Sequence, residues 1–205
     1  MRVVPDGCID IVWTEGRGGR IVGANTTAFL VALGADTSVV GARMRPGAAP
    51  ALLGVDAAAL RDAHLELAEV WADDGRRLEQ RLDAAADPER GGLLLAAVAG
   101  RARHAAMPDP LVRAAVDRLA APDARVERVA RELAISTRQL RRRCESAVGY
   151  GPKRLLRVLR LQHALAAARA GEELAQAAAG AGYADQAHFA HDCRSLAGVP
   201  ATALI

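Results

Sequence analysis

Arg138, Arg141 and Arg142 fall at i, i+3 and i+4, so on a helix they occupy one face. A guanidinium presents a rigid fork of donors that fits the edge of guanine or a phosphate. The stretch from Arg138 to Arg160 holds eight basic residues against one acid, Glu145. A charge run is ordinarily a solvated helix face, so charge alone does not assign a partner. Gln186, His188 and His191 form a second polar set near the C-terminus. His188, His191 and Cys193 could be drawn as zinc ligands, but Cys193 falls on an apolar stripe and a closed site lacks its fourth ligand. The first hundred residues offer only His64 as imidazole, too little for a cupin-like metal enzyme. No nucleophile–base pair, metal cluster or phosphate loop is legible. The chain therefore reads as non-enzymatic, with no metal and no cofactor.

Smaller features are weighed the same way. Cys8 reads as a small buried hydrophobe rather than a reactive thiol. Asp6 makes the Pro5-Asp6-Gly7 turn, a simpler role than ligand binding for it or for Asp10. Arg43 and Arg45 flank Met44 on a strand, and whether they face a pocket or solvent stays open. Trp13 and Trp71 are read as core residues, with ligand stacking the minority reading.

The elements that must position these residues differ along the chain. Residues 1–54 are rich in Gly, Val and turn residues, and β-like pieces lie at 2–4, 9–13, 20–22 and 38–43. From Asp56 the pattern turns helical, with short helices expected over 56–60, 65–71, 76–86 and 91–103. His104 to Pro110, with two prolines, reads as a linker. Beyond it, Asp109 before Pro110 is a helix N-cap and first turn. Val112, Ala115, Val116 and Leu119 make one buried stripe, and Val126, Val129, Ala130 and Leu133 repeat the spacing. Ser136 and Gln139 form a capping box that opens the helix carrying Arg138, with Leu140 and Cys144 facing inward. A long helix follows from Pro152 to about Ala170. Leu174–Ala179, a Gly180-Ala181-Gly182 turn and an Asp185-capped helix complete a second unit, with Phe189, Cys193 and Leu196 inward.

The predicted fold class is α+β. A small β-rich, barrel-like domain with trailing helices spans 1–103, a linker 104–110, and an all-α domain of two helix-turn-helix units joined by a long helix 111–205. Two reading helices on one rigid helix can enter two adjacent major grooves of double-stranded DNA.

Charge and composition fit that division. The chain has 205 residues and a net charge of +3, but residues 1–100 carry 10 basic and 14 acidic side chains and residues 101–205 carry 17 and 10. The basic half is the one expected to meet a polyanion. Half the chain is hydrophobic, which excludes disorder. Apolar runs are short, so no membrane is expected as partner. Three cysteines give no disulfide framework, and the start lacks a signal-peptide core, so the expected location is the cytoplasm. Of 27 basic residues 26 are arginine, and alanine numbers 47, a pattern read as the codon bias of a GC-rich bacterial genome.

The motifs carry a resemblance. Val129-Ala130-Arg131-Glu132-Leu133, Ser136-x-x-x-Leu140-x-Arg142, Gly149-x-x-Pro152, Arg160-Leu161-x-x-Ala164, Ala178-x-x-Ala181-Gly182-Tyr183-x-Asp185-Gln186-x-x-Phe189 and Gly198-Val199-Pro200 follow in order. From about Val112 to Leu204 the chain resembles the DNA-binding domain of AraC/XylS-type transcriptional regulators. The resemblance implies base contacts from Arg138, Arg141 and Arg142, and from Gln186, Ala187, His188 and His191. Arg143, Lys153, Arg154 and Arg157 are candidates for phosphate contacts. Cys144 and Cys193 stand where the family has core aromatics, and Ala187 is too short to hydrogen-bond a base. The pieces 4–13 and 40–50 and the run Leu65-x-x-Ala68-Glu69-Val70-Trp71 resemble an uncharacterised sensor-like domain found upstream of such units. That family usually begins some twenty or more residues earlier with another strand, so either the start codon lies further upstream or the barrel lacks an edge, and an unpaired edge would favour a homodimer or aggregation.

The expectation is a sequence-specific transcription regulator whose N-terminal domain senses a small-molecule effector or dimerises. The alternative is an N-terminal small-molecule-binding or enzymatic domain with the helical half as a protein-interaction module. A poorly folding, truncated gene product is the third reading.

Overall fold

The computed structural model describes residues 1–205. Residues 1–66 supply six strands: β1 (Arg2–Val3), β2 (Ile9–Thr14), β3 (Gly18–Val22), β4 (Phe29–Leu30), β5 (Val39–Met44) and β6 (His64–Glu66). Ile9, Ile11 and Trp13 of β2 are buried, and Asp10, Val12 and Thr14 lie on the opposite face. That period of two fixes the register, because a slip of one residue would expose the whole apolar set. Ile11 pairs with Ile21 of β3 and with Ala42 of β5. The four-stranded sheet is antiparallel, in the order β5-β2-β3-β6, and β1 pairs with β4 as a separate ribbon. The α+β class stands, but the sheet is open and no barrel closes.

Helices cover the sheet's buried face. α1 (Ala49–Leu53) follows β5, then α2 (Leu67–Ala84) and α3 (Asp87–Ala102). Leu67, Leu78 and Leu82 of α2 and Leu94 of α3 are buried with Trp13 and Ile21. The separate helices expected near 65–71 and 76–86 stand on either side of a kink in α2 at Ala72, where φ is 48° and ψ −126°, the first beginning at Leu67 after β6. The expected helix at 56–60 is a series of turns, in which Asp56 accepts from the Ala58 N–H at 2.8 Å. Arg90 is buried, lies 4.6 Å above the Trp13 ring and donates to the Leu82 carbonyl at 3.1 Å.

Residues 104–109 are not helical and lead to α4 (Pro110–Leu119), α5 (Val126–Glu132), α6 (Thr137–Val148), α7 (Pro152–Arg169), α8 (Leu174–Gly180) and α9 (Gln186–Asp192). The α9 backbone runs on through a π-type turn at Cys193–Ala197. No helix is long and apolar enough to cross a membrane.

The two halves share side chains and backbone bonds. One apolar cluster of 41 buried residues runs from Ile9 to Leu204. The Ala57 N–H donates to the Ser146 carbonyl at 2.8 Å, and the Ser146 hydroxyl donates to Asp56 at 2.6 Å. Gln162 reaches the Pro5 carbonyl, Arg154 the Thr26 carbonyl and Arg2 the Ala197 carbonyl, all within 2.9 Å.

Gly182 has φ +88°, and a Cβ there would sit 1.9 Å from the Pro122 carbonyl oxygen. Gly182→Ala should therefore cost at least about 3 kcal/mol in chemical denaturation, from strain and overlap together. Gly92 in α3 has nothing within 4 Å of such a Cβ. Gly92→Ala should instead stabilise by about 0.5–1 kcal/mol, by helix propensity alone.

Candidate nucleic-acid interface

The α6 helix starts where its sequence demands. The Ser136 hydroxyl accepts from the Gln139 N–H at 3.1 Å, and the Gln139 side chain accepts from the Ser136 N–H at 2.9 Å. These bonds satisfy backbone donors that a helix start leaves open. Gly149, at φ +96°, ends the helix. Leu140, Cys144 and Val148 are buried on one side, and Arg138, Arg141 and Arg142 are exposed on the other. Arg141 pairs with Glu145 at 2.8 Å, and that hydrogen bond raises the guanidinium pKa. Arg138 and Arg142 form no ion pair and keep their donors free. Arg142 lines a recess with Pro50, Asp56 and Met107.

In the second unit Asp185 accepts from the His188 N–H at 2.7 Å and caps α9. Gln186, Ala187 and His191 are exposed, while His188 is half-buried with its ring edge-on to Tyr183 at 5.0 Å. The structure thus gathers Gln186, Ala187 and His191 on open surface and backs His188 with an aromatic wall. Cys193 is fully buried whereas His191 is exposed, so the drawn zinc set does not converge.

The four phosphate candidates divide. Lys153 is exposed and unbonded at the start of α7. Arg143 forms an ion pair with Asp109, whose other oxygen caps α4 through the Leu111 N–H at 2.9 Å. Arg154 is tied to Thr26. Arg157 holds Asp192 at 2.7 Å and the Ser195 hydroxyl at 3.0 Å. Asp192 is almost fully buried and also accepts from the Tyr183 hydroxyl at 3.3 Å. Burial and that carboxylate push the Tyr183 pKa up.

Asp192 and Tyr183 were not singled out as positioning residues by sequence. A signal was present: Asp192 stands between Phe189 and Cys193 on the buried side of α9, and a carboxylate there needs a partner. Its partner lies 35 residues away, and nothing local names it.

Features of the N-terminal half fall into place. Arg43 binds Asp10 through two nitrogens at 2.9 and 3.0 Å and Asp6 at 3.0 Å. Asp6 also accepts from the Cys8 N–H at 2.9 Å, so it makes the turn. Burial, then the Asp6 charge, pushes the Cys8 thiol up to about 12. Trp13 and Trp71 are both buried.

Against known proteins, residues 129–205 match the family model of a helix-turn-helix domain. Residues 1–66 match a domain of unknown function (DUF6597). No curated protein matches the chain, and no solved structure does. The first match takes in both α6 and α9; the second ends on β6.

Arg157→Met would leave Asp192 buried without its cation and should cost about 3 kcal/mol in urea denaturation. Adding Asp192→Leu should recover much of that loss, because the pair replaced together leaves no orphan charge. The thiols give a second test. Cys8 and Cys144 are raised to about 12 and Cys193 to about 11, each mainly by burial. The unfolded chain ionises its thiols from about pH 8.5 while the fold keeps them neutral. Stability should hold below that pH and fall as pH rises toward the folded values. Native thiols should also react slowly with iodoacetamide at pH 8 and rapidly in denaturant.

Proposed function

Because residues 129–205 are a helix-turn-helix domain of the AraC type, we propose that this DNA-binding regulator recognises a specific duplex sequence through two adjacent major grooves. The observation that carries the reading is α6 itself. It is capped at both ends, buried along one side, and open along the side that bears Arg138, Arg141 and Arg142. In the groove these guanidinium groups read bases, guanine above all. Gln186, His188 and His191 of α9 read the second groove. Between them α7, with 18 residues, is a strut about 27 Å long.

Phosphate contacts position the protein without specifying sequence. Lys153 is the best supported of them because its ammonium is exposed and unbonded. Arg143, Arg154 and Arg157 reach phosphate only from side chains already anchored to Asp109, Thr26 and Asp192. Their first role is to hold the reading helices in place.

On this reading residues 111–205 bind DNA, 104–110 connect, and 1–103 sense an effector or pair with a second copy. The protein acts as a regulator in the cytoplasm rather than as an enzyme. The recess between the β1–β4 ribbon and the outer sheet face supports sensing or pairing, with Val12, Phe29, Leu30 and Val39 among its walls.

Binding sites selected from random DNA supply the substrate for the test. By fluorescence anisotropy, Arg142→Ala should lose about 1–3 kcal/mol on the selected site and relax preference at one position. Lys153→Ala should weaken all sequences alike and lower the slope of log affinity against log salt by about one. Wild-type affinity in Arg142→Ala would remove the assignment.

A further inference from the structure

A second recess lies between α1, α2 and α3, away from the reading helices. It is a cleft of about 630 Å³, within the size range of small-molecule sites. Leu52, Trp71 and Leu78 form apolar walls. Arg77, Arg81 and Arg101 line it against a single carboxylate, Asp74. The local charge is therefore positive inside an N-terminal half that is acidic as a whole.

Three details make the cleft more than a gap between helices. Trp71 is 5% exposed, and its indole N–H has no acceptor. A buried donor without a partner is uncommon and calls for one. The Arg101 guanidinium stacks 4.8 Å from the centre of the Trp71 ring, held there by the Leu52 carbonyl at 3.2 Å and Asp74 at 3.4 Å. Asp74 is thus shared between Arg101 and Arg77, which lies 2.6 Å from it. Arg81 has no partner at all and is exposed on the cleft rim. Directly after Trp71 the chain turns through Ala72 at φ +48°, a region L-residues avoid. That break in α2 sets the position of the indole. Strain of this kind gathers at binding sites.

We propose that this cleft binds a small amphipathic organic anion, its head held by Arg81 and its apolar body lying on Leu52, Leu78 and the Trp71 side chain. An anionic head matches the excess of guanidinium groups. The groove on the outer sheet face fits an anion less well. Of its three arginines Arg20 is bound to Glu66 and Arg43 to Asp6 and Asp10, which leaves Arg17 alone unpaired, and Asp10 itself lines the groove.

The inference rests on the sensing role proposed for residues 1–103, and it gives that role a route. Arg101 and His104, both on the cleft, precede the segment that ends in Asp109. Asp109 caps α4 and pairs with Arg143 of α6. On the other side α1 walls both this cleft and the recess that Arg142 lines. Occupying the cleft bears on α6 from both directions.

Isothermal titration calorimetry of the full chain tests the site with octanoate, mono-octyl phosphate and neutral octanol as probes. One-site, saturable binding is expected for an anionic probe and not for octanol. The tighter of the two anions identifies the head group as carboxylate or phosphate. Arg81→Gln, on the exposed rim, should weaken binding about tenfold with unchanged unfolding temperature. No binding of either anion, equal binding of octanol, or full affinity in Arg81→Gln overturns the proposal. DNA affinity with and without the bound probe is read separately. An unchanged DNA affinity upholds the site and removes its regulatory role. Absent binding removes the site and leaves sensing to the sheet groove.

Discussion

The arrangement depends on one helix that cannot be left uncovered. Of the eighteen positions of α7, only Lys153, His163, Ala166 and Arg169 are exposed. Its apolar residues must be packed, and Arg154, Arg157, Arg160 and Gln162 are bonded to other elements. Leu155, Val158, Leu161, Ala164, Leu165 and Ala168 supply that surface. The first helix-turn-helix unit covers one flank and the second unit another. The N-terminal half covers the rest, bonding to Arg154 through Thr26 and to Gln162 through Pro5. The helices α6 and α9 and the N-terminal half are all packed against this one helix.

Ion pairs then fix orientation, which apolar contact does not. Both α6 and α9 are tied by an aspartate–arginine pair: Arg143 of α6 to Asp109, and Asp192 of α9 to Arg157 of α7. In both pairs the carboxylate has a second partner, the Leu111 N–H or the Tyr183 hydroxyl. A carboxylate with two donors holds direction as well as distance. This is why several arginines of a strongly basic stretch are spent internally. The stretch looks uniform in sequence, but Arg138, Arg142 and Lys153 are free, Arg141 is paired within its helix, and Arg143, Arg154 and Arg157 are fastened to other elements.

What sequence revealed was what short-range chemistry controls. Ser136 with Gln139, Asp109 with Pro110, and Asp185 each specify a helix start within three residues, and each does so in the structure. The inward and outward faces of α6 follow from a 3.6-residue period. Less was legible in the first half. β4 and β6 are two and three residues long, too short for a period to show. The break at Ala72 carries no glycine or proline to announce it, yet the two helices expected around it do stand on either side of the kink. Whether the strands close depends on β1 and β4 pairing with each other rather than with the sheet, a choice no local pattern encodes. Alanine blurs the rest, because it fits buried and exposed positions equally. The partners of Arg157 and Arg154 lie 35 and 128 residues away.

The two units are not equivalent, and the difference has a physical consequence for any signal from the N-terminal half. The α6 helix has twelve residues, a capping box and three guanidinium groups. The α9 helix has seven, a single aspartate cap, and passes into a π-type turn. Its exposed groups, Gln186, Ala187 and His191, include no arginine or lysine. On the proposed reading, attraction to the phosphate backbone comes mainly from the first unit, and the second adds selectivity. The carbonyls of that π-type turn are held from outside: Leu196 by the Ala28 N–H at 2.7 Å and Ala197 by Arg2 at 2.9 Å. Arg2 belongs to β1 and Ala28 directly precedes β4. A shift of the ribbon therefore acts on the second unit, where binding rests on geometry rather than on charge. A shift at Asp56 and Ala57 acts on the first, through Ser146 at the end of α6. On the proposed reading, the N-terminal half is bonded near the C-terminal end of each reading helix, through Ser146 and through the turn after α9, and it adjoins Arg142 at a shared recess while Arg138 and Arg141 stay exposed.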